Sequence, residues 1–224
     1  MINLTVTLYL IAFPIGLMGV VQMCFSLLTL VIFNDHEEVD FFTPAITMIA
    51  VALLLFSVAK KINISKIGYR DALFFAVLTW IVCGVLGAIP IIFITHVTFT
   101  DGVFESISAL TTTGATILSG LDNMPKSFLL YRQFLQWLGG LGIVIFVVAV
   151  LPMLNVGGMK LLKAEMPGPI KNDKLTPRLV NTTHYLWFVY FALTILCALG
   201  YFWGGMSAYD AIAHSFTTVS TVMV

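Results

Sequence analysis

Five long apolar runs constrain what this chain can fold into more than any other feature. They cover Thr7–Phe33, Phe41–Ala59, Ala72–Ile94, Ser127–Leu151 and Leu186–Phe202. A helix needs about 20 mostly apolar residues to cross the hydrocarbon core of a bilayer, so each run predicts a transmembrane helix. The chain is 59% hydrophobic and only 10% charged, unlike an ordinary soluble domain. The sequence therefore predicts an all-α membrane protein.

The charges between the runs predict the orientation of the spans. The loop Asn34–Asp40 after the first run is acidic. Two later loops are basic, and their charged residues are Lys60, Lys61, Lys66 and Arg70, then Lys160, Lys163, Lys171, Lys174 and Arg178. Because basic loops tend to stay in the cytoplasm, we predict a multi-pass protein with a cytoplasmic N-terminus. The formal net charge is zero, so nothing favours a nucleic-acid partner.

The stretch Asp101–Leu118 lies between two runs and is neither a span nor an ordinary loop. Its apolar residues recur at helical spacing, at positions Val103, Phe104, Ile107 and Leu110. We predict a helix from Asp101 to about Thr111, capped by Thr100 or Asp101. Such a helix crosses only about half of a ~30 Å hydrocarbon core, so the chain must turn back.

Six small residues, Thr111–Thr116, follow this predicted helix. Non-helical backbone at membrane depth is tolerated where protein buries it or a water-filled cavity faces it. A row of carbonyl oxygens in such a loop can replace the hydration shell of a cation. Gly114 accommodates a φ above zero, which re-aims successive carbonyls. The stretch therefore predicts a re-entrant helix with an ion-coordinating loop.

The same pattern recurs after the fifth run. Asp210 takes the place of Asp101 at an offset of 210 − 101 = 109, and Ser215 then falls on Ser106. The chain thus contains one full span–dip–span unit and the first part of a second. We predict an N-terminal pair of spans at 1–66, the first repeat with its cytoplasmic loop at 67–181, and an incomplete second repeat at 182–224.

Three motifs in this order resemble the Trk/Ktr/HKT superfamily of potassium transporters, and within it the bacterial Trk-type membrane subunit. They are TTTGAT at 111–116, QWLGGLGI at 136–143 and AEMPGPI at 164–170. The resemblance extends from about Leu8 to Thr221. It implies potassium-channel-like span–pore loop–span repeats, with a filter in which K⁺ is bound by the carbonyls of Thr112, Thr113 and Gly114.

For the second repeat, the resemblance implies that Thr221 and Val222 occupy the corresponding filter places. K⁺ is accordingly expected at Thr112, Thr113, Thr221 and Val222. The family reads Ser-Thr-Gly-Gly here, whereas this chain has Val222 opposite Thr113 and Met223 opposite Gly114. Because the family places four repeats around one pore, a non-transporting truncated fragment is the alternative to a potassium uptake protein.

The resemblance also implies partners and a location. It predicts a bacterial inner-membrane protein surrounded by lipid, with K⁺ as transported ion and no other cofactor. A cytosolic nucleotide-binding regulatory subunit would dock beside the loop Gly157–Asn181, and a full-length protein would form a homodimer. An intramembrane enzyme is not predicted, because the four histidines are scattered without HExxH spacing.

Several residues admit two interpretations from sequence alone. Glu105 and its repeat equivalent His214 are ionisable groups at membrane depth, with either a functional or a hydrogen-bonded structural role. Arg132, with Gln133 or Gln136, either bonds the filter loop or anchors the helix at the interface. The small residues at 139–142 sit inside an apolar run, so a phosphate loop is excluded; we expect the re-entrant helix to pack there.

Overall fold

Helices are the only regular secondary structure in the described part of the chain. The structure, a computed structural model, describes residues 4–58, 69–154 and 175–221, with side chains for 8–57, 74–143 and 183–221. Its long helices are α1 (Leu4–Leu28), α2 (Glu38–Val58), α3 (Tyr69–Thr95), α5 (Lys126–Leu154) and α6 (Leu175–Trp203). Two short helices follow α3 and α6, namely α4 (Phe99–Leu110) and α7 (Ala208–Val219). None of these residues forms a strand, so the predicted all-α class is confirmed.

Two short irregular turns complete the described structure. A π-helical turn, Thr29–Phe33, continues α1, and a 3₁₀ turn, Leu121–Asn123, precedes α5. The π-helical turn ends at Asn34, which has a left-handed φ of 51° and whose N–H bonds the carbonyl of Thr29. Asn tolerates this conformation better than most residues, so the chain can leave the first span sharply here.

Within the described residues, four helices are long and apolar enough to cross a membrane. These segments are Leu8–Phe33, Glu38–Ser57, Phe74–Thr95 and Thr183–Trp203. They match four of the predicted spans, although α6 begins at Leu175, well before the predicted Leu186. The remaining predicted span, Ser127–Leu151, is helical throughout, within α5. Its side chains from residue 144 onward lie outside the described ones.

The predicted basic loops are only partly described. Seven of their nine basic residues lie outside the described residues: Lys60, Lys61, Lys66, Lys160, Lys163, Lys171 and Lys174. The other two, Arg70 and Arg178, belong to the first turns of α3 and α6, so assigning them to loops was wrong. The motif AEMPGPI also falls outside the described part of the chain.

The chain divides into two compact units, residues 1–135 and 136–224. In the first unit, α1 and α2 pack along each other, and their contact is extended by an aromatic cluster. The rings of Phe25 and Phe41 each lie 5.2 Å from Tyr131 in edge-on geometry, which favours aromatic pairs. In the second unit Trp137 lies 5.4 Å from Tyr190 and 5.6 Å from Phe216. The three-part division at 66 and 181 stays a prediction.

Pro90 lies inside α3 and creates a local hydrogen-bonding requirement. Proline has no N–H, so the carbonyl of Leu86, four residues earlier, loses its helical partner. Gln22 of α1 is fully buried and donates to that carbonyl at 3.1 Å. Tyr131 donates to the adjacent carbonyl, that of Gly87, at 3.0 Å. A proline within a span is tolerated here because neighbouring helices supply donors.

Candidate functional site: the loop after the short helix

The short helix α4 is the first element of the site. It begins at Phe99, and its N-cap is Thr98, whose side chain accepts from the N–H of Asp101 at 3.3 Å. The predicted caps, Thr100 and Asp101, were wrong because the helix starts two residues earlier than its apolar pattern indicates. Its 12 residues rise about 18 Å, well short of the ~30 Å of a hydrocarbon core.

The face of α4 that is buried is the polar and small one. Glu105 and Ser106 are almost fully buried, at 1% and 0% exposure, whereas Phe104 and Ile107 are 45% and 41% exposed. In a water-soluble protein the apolar stripe would face the core. In a membrane the surroundings are apolar as well, so it is the polar side chains that have to find partners inside the protein.

The loop after α4 contains two residues in the left-handed backbone conformation. Gly114 has φ 76°, which confirms the left-handed conformation predicted for it. Thr112 is also left-handed, with φ 55°, and this was not predicted. A β-branched residue is strained in that region, and such strain concentrates at functional sites. No sequence signal distinguished Thr112 from its two neighbouring threonines.

The carbonyl groups of the loop divide into bonded and unbonded ones. Ser108 holds the loop at its two sides: its carbonyl accepts from the N–H of Thr113 at 3.0 Å, and its hydroxyl donates to the carbonyl of Ala115 at 2.7 Å. Within the described residues, no hydrogen bond ends on the carbonyl oxygens of Thr111, Thr112, Thr113 or Gly114. The last three are the carbonyls to which the resemblance to the Trk-type subunit assigned the ion.

Glu105 anchors the segment Thr116–Leu118, through which the chain leaves the loop. One carboxylate oxygen, Oε1, accepts from the Thr116 hydroxyl and the Ile117 N–H, each at 2.6 Å, and from the Leu118 N–H at 3.3 Å. The other oxygen, Oε2, accepts from Arg132 at 2.8 Å. Of the two interpretations left open for Glu105, the described contacts favour the hydrogen-bonded structural one.

Arg132 of α5 completes this cluster. Besides the ion pair with Glu105, it donates to the Thr116 hydroxyl at 3.2 Å. Arg132 therefore bonds the loop after α4, as one of its two predicted roles required. The side-chain carbonyl oxygens of Gln133 and Gln136 have no hydrogen-bond partner among the described residues.

The second short helix repeats the first at the predicted offset. Its N-cap Ser207 accepts from the N–H of Asp210 at 3.1 Å, just as Thr98 accepts from Asp101 one repeat earlier. Its C-cap residue, Ser220, has φ −79° and ψ 1°, close to the −82° and 4° of Thr111, the C-cap of α4. The next residue, Thr221, is left-handed with φ 59°. The internal repeat is therefore a backbone repeat as far as Thr221, whereas Val222 lies outside the described residues.

His214 occupies the place of Glu105 in this second copy. Its ring meets that of Tyr201 edge-on, with centroids 6.3 Å apart. Tyr201 also shares a 2.7 Å hydrogen bond with Thr218. The two equivalent positions thus make different contacts. The residues equivalent to the segment Thr116–Leu118 lie beyond Thr221, outside the described part of the second copy.

The QWLGGLGI motif forms the contact with α7 inside the second unit. A Cβ added to Gly140 would lie 2.7 Å from the Tyr190 hydroxyl and 3.0 Å from the Cβ of Ser220. The close approach predicted for these small residues is therefore present at Gly140. The prediction named the first short helix, and the neighbour at this position is the second. Trp137 fastens the same region by donating to Thr194 at 2.9 Å.

The described chain combines long apolar helices with two short helices, and a residue with left-handed backbone conformation follows the end of each short helix. This combination defines a class of protein, the helical membrane proteins built from potassium-channel-like span–pore loop–span repeats. The profile of the TrkH family, described as a cation transport protein, matches residues 36–222. The chain belongs to that family.

Individual relatives agree with this assignment. The Trk system potassium uptake protein TrkH of Vibrio parahaemolyticus is 42% identical over 202 residues, which are 89% of this chain and 41% of the relative. The TrkH protein of Escherichia coli K12 is 45% identical over 195 residues, 86% of this chain and 40% of the relative. This chain therefore spans about two fifths of the length of the relatives it matches.

A solved structure supports the same fold. The crystal structure of the potassium transporter TrkH from Vibrio parahaemolyticus superposes with a TM-score of 0.82 and 34% sequence identity. The superposition covers 96% of this chain and 42% of that one.

Proposed function

We propose that this chain supplies ion-coordinating loops to a Trk-type potassium uptake protein. The observation that carries the proposal is the end of α4, where left-handed Thr112 and Gly114 leave the successive carbonyl oxygens of residues 112–114 without hydrogen bonds in the described structure. Carbonyl oxygens can replace the water lost by K⁺ as it enters a filter. The names of the relatives, which are potassium uptake proteins, favour K⁺ as the cargo.

The helix dipole adds to this proposal. The C-terminal end of a helix carries roughly half a negative charge, and α4 ends at Leu110, immediately before the loop. A cation at the carbonyls of Thr112, Thr113 and Gly114 would be attracted by that end. We propose the same role for α7, which ends at Val219, with Thr221 and Val222 as the corresponding ligands.

The partners and location are proposed from likeness to the family. The protein lies in the bacterial inner membrane with its N-terminus in the cytoplasm. A cytosolic nucleotide-binding regulatory subunit docks beside Gly157–Asn181, and the full-length protein forms a homodimer. No catalytic chemistry is proposed, since dehydration and coordination of K⁺ involve no covalent step.

The test uses two left-handed glycines on the same loop. A chimera carries residues 1–221 of this chain in place of the matching segment of the Vibrio parahaemolyticus relative, in cells lacking their own potassium uptake. Gly114→Ser should lower K⁺ uptake or K⁺-over-Na⁺ discrimination, because a Cβ at positive φ costs about 1 kcal/mol or more and turns the carbonyls away. Gly120→Ser is the control, since Gly120 has φ 73° with nothing within 4 Å of an added Cβ.

Equal selectivity in Gly114→Ser and the unsubstituted chimera, with normal membrane insertion of both, would show that the turn serves only the fold. Residues 1–224 are expressed alone in the same cells. We expect no uptake from them, because one complete filter loop offers too few carbonyls to replace the hydration of a cation. Growth supported by residues 1–224, and lost on Gly114→Ser, would instead indicate that several copies assemble one pore.

A further inference from the structure

We infer that Glu105 is the positioning residue of the first filter loop. In this role it fixes the segment Thr116–Leu118 and thereby orients the carbonyls of Thr112–Gly114. The inference rests on the proposed function for its consequence in selectivity, but its structural part is independent of transport. Glu105 itself does not contact the ion in this account, since it acts through the backbone that follows the loop.

Several hydrogen-bond donors converge on the buried side chain of Glu105. Glu105 is 1% exposed, and four donors reach it: the Thr116 hydroxyl, the N–H groups of Ile117 and Leu118, and Arg132. A carboxylate has about four acceptor sites and no donor, whereas a glutamine side chain offers one acceptor oxygen. A carboxylate therefore offers enough acceptor sites for all four donors, and a glutamine does not.

The segment Thr116–Leu118 has few other supports. The Ile117 N–H has Glu105 as its acceptor, and the Leu118 N–H has Glu105 and the Thr116 hydroxyl at 3.1 Å. Backbone N–H groups outside helices at membrane depth need an acceptor from the protein. Without the carboxylate, the Ile117 N–H would have no acceptor among the described residues. The segment Thr116–Leu118 would then have to move to find one.

Arg132 contacts both the carboxylate of Glu105 and the segment that Glu105 holds. Its guanidinium, on α5, neutralises the buried carboxylate and also donates to the Thr116 hydroxyl. The pair therefore connects the segment Thr116–Leu118 to two helices, to α4 through Glu105 and to α5 through Arg132. A buried charge without its partner is strongly unfavourable, so each member of the pair keeps the other in position.

The second repeat has a different side chain at the equivalent position. Position 214, equivalent to 105, holds a histidine, and a neutral imidazole has a single acceptor nitrogen. It cannot accept from several donors as Glu105 does. The carboxylate arrangement therefore belongs to the first repeat, and the four-donor arrangement is not a general requirement of the short helix.

The structural part is tested by thiol labelling of the 224-residue chain in membranes. Cys24, Cys83 and Cys197 are removed. A single reporter cysteine then replaces either Ile117, within the segment that Glu105 holds, or Asn123, beyond that segment. Glu105→Gln should raise the labelling rate at position 117 by about tenfold, the effect of losing one charge-assisted hydrogen bond. Labelling at position 123 should not change. Asp101→Asn is the matched control, a carboxylate on the same helix with no described side-chain hydrogen bond.

A second variant separates local positioning from general unfolding. In Glu105→Gln/Arg132→Gln both charges are absent, so neither is left unpaired, and labelling at position 117 should fall below that of Glu105→Gln alone. Equal labelling at position 117 in Glu105→Gln and the unsubstituted chain overturns the inference. So does an equal rise at positions 117 and 123, because that would mean a loss of fold.

The consequence for transport is measured in the chimera. Glu105→Gln should lower the ratio of K⁺ to Na⁺ uptake, and Asp101→Asn should leave it unchanged. Faster labelling at position 117 with an unchanged ratio overturns the selectivity part of the inference. If the unsubstituted chimera transports no K⁺, the proposed function fails. The labelling result still decides whether Glu105 holds the segment Thr116–Leu118.

Discussion

At the scale of single residues, the acidic loop between α1 and α2 contains a carboxyl group with unusual titration. Burial raises the pKa of Glu37 to about 7, helped by a hydrogen bond with Asp40 and by the charges of Asp40, Asp35 and Glu38. Asp35 in the same loop accepts from the N–H of Ser127 at 3.0 Å, where α5 begins. Carboxylates are favoured at helix N-termini, so the loop is tied to α5 while Glu37 resists ionisation.

This arrangement predicts a pH-dependent stability. The pKa of Glu37 rises from 4.5 to about 7, so the folded state binds the proton more tightly than the unfolded state. The stabilisation is fully present below pH 4.5 and is lost as pH rises through about 7. We expect Glu37→Gln to flatten the melting temperature of the detergent-solubilised chain across this window, and Asp122→Asn to leave the slope unchanged. A variant with the original slope would contradict the prediction.

At the scale of secondary-structure elements, helix contacts depend on where the sequence is small or polar. The contact of α5 with α7 inside the second unit passes through Gly140, and that of α3 with α4 passes through Gly102, where an added Cβ would meet Ile92. Without a hydrophobic driving force in lipid, close backbone approach gives helices much of their attraction. These two glycines therefore hold the short helices against the long ones.

The element-scale prediction compares two glycines of the second unit. Gly140→Ala places a methyl group 2.7 Å from the Tyr190 hydroxyl and 3.3 Å from the Cα of Ser220. Overpacking of this kind costs about 1–3 kcal/mol, and it should also disturb the bond from Tyr190 to the Trp137 carbonyl. Gly200→Ala is the control, because an added Cβ there meets nothing within 4 Å. Thermal unfolding in detergent should be lowered by the first substitution alone.

At the scale of the whole molecule, the charge pattern predicts how the chain is threaded through the membrane. Lys66 and Met166 are expected in the cytoplasm, and both lie outside the described residues. His36 and Asn123 are expected outside the cell, and both are exposed. Single cysteines at these positions, in a chain without native cysteines, should react with an impermeant thiol reagent from the expected side. Labelling of position 66 from outside would overturn the arrangement.

The sequence by itself determined the class of the fold and the position of the loop. Length and hydropathy suffice for the spans, because a bilayer of fixed thickness admits only apolar helices of matching length. The half-length of the helix before Thr111 determined that the chain turns back, and Gly114 determined one left-handed residue. The sequence repeat at an offset of 109 residues is faint, but the structure has matching helix caps and φ angles at that offset up to Thr221.

Only the tertiary structure decided which groups hold the loop in place. Apolar periodicity does not tell which face of α4 is buried, because lipid and protein interior are equally apolar. Polar partners decide it, and they come from distant parts of the sequence, as in Glu105 with Arg132 and Gln22 with the Leu86 carbonyl. Sequence reasoning named Glu105 and Arg132 separately. Pairing them required the packing of α4 and α5, which brings the carboxylate within 2.8 Å of the guanidinium.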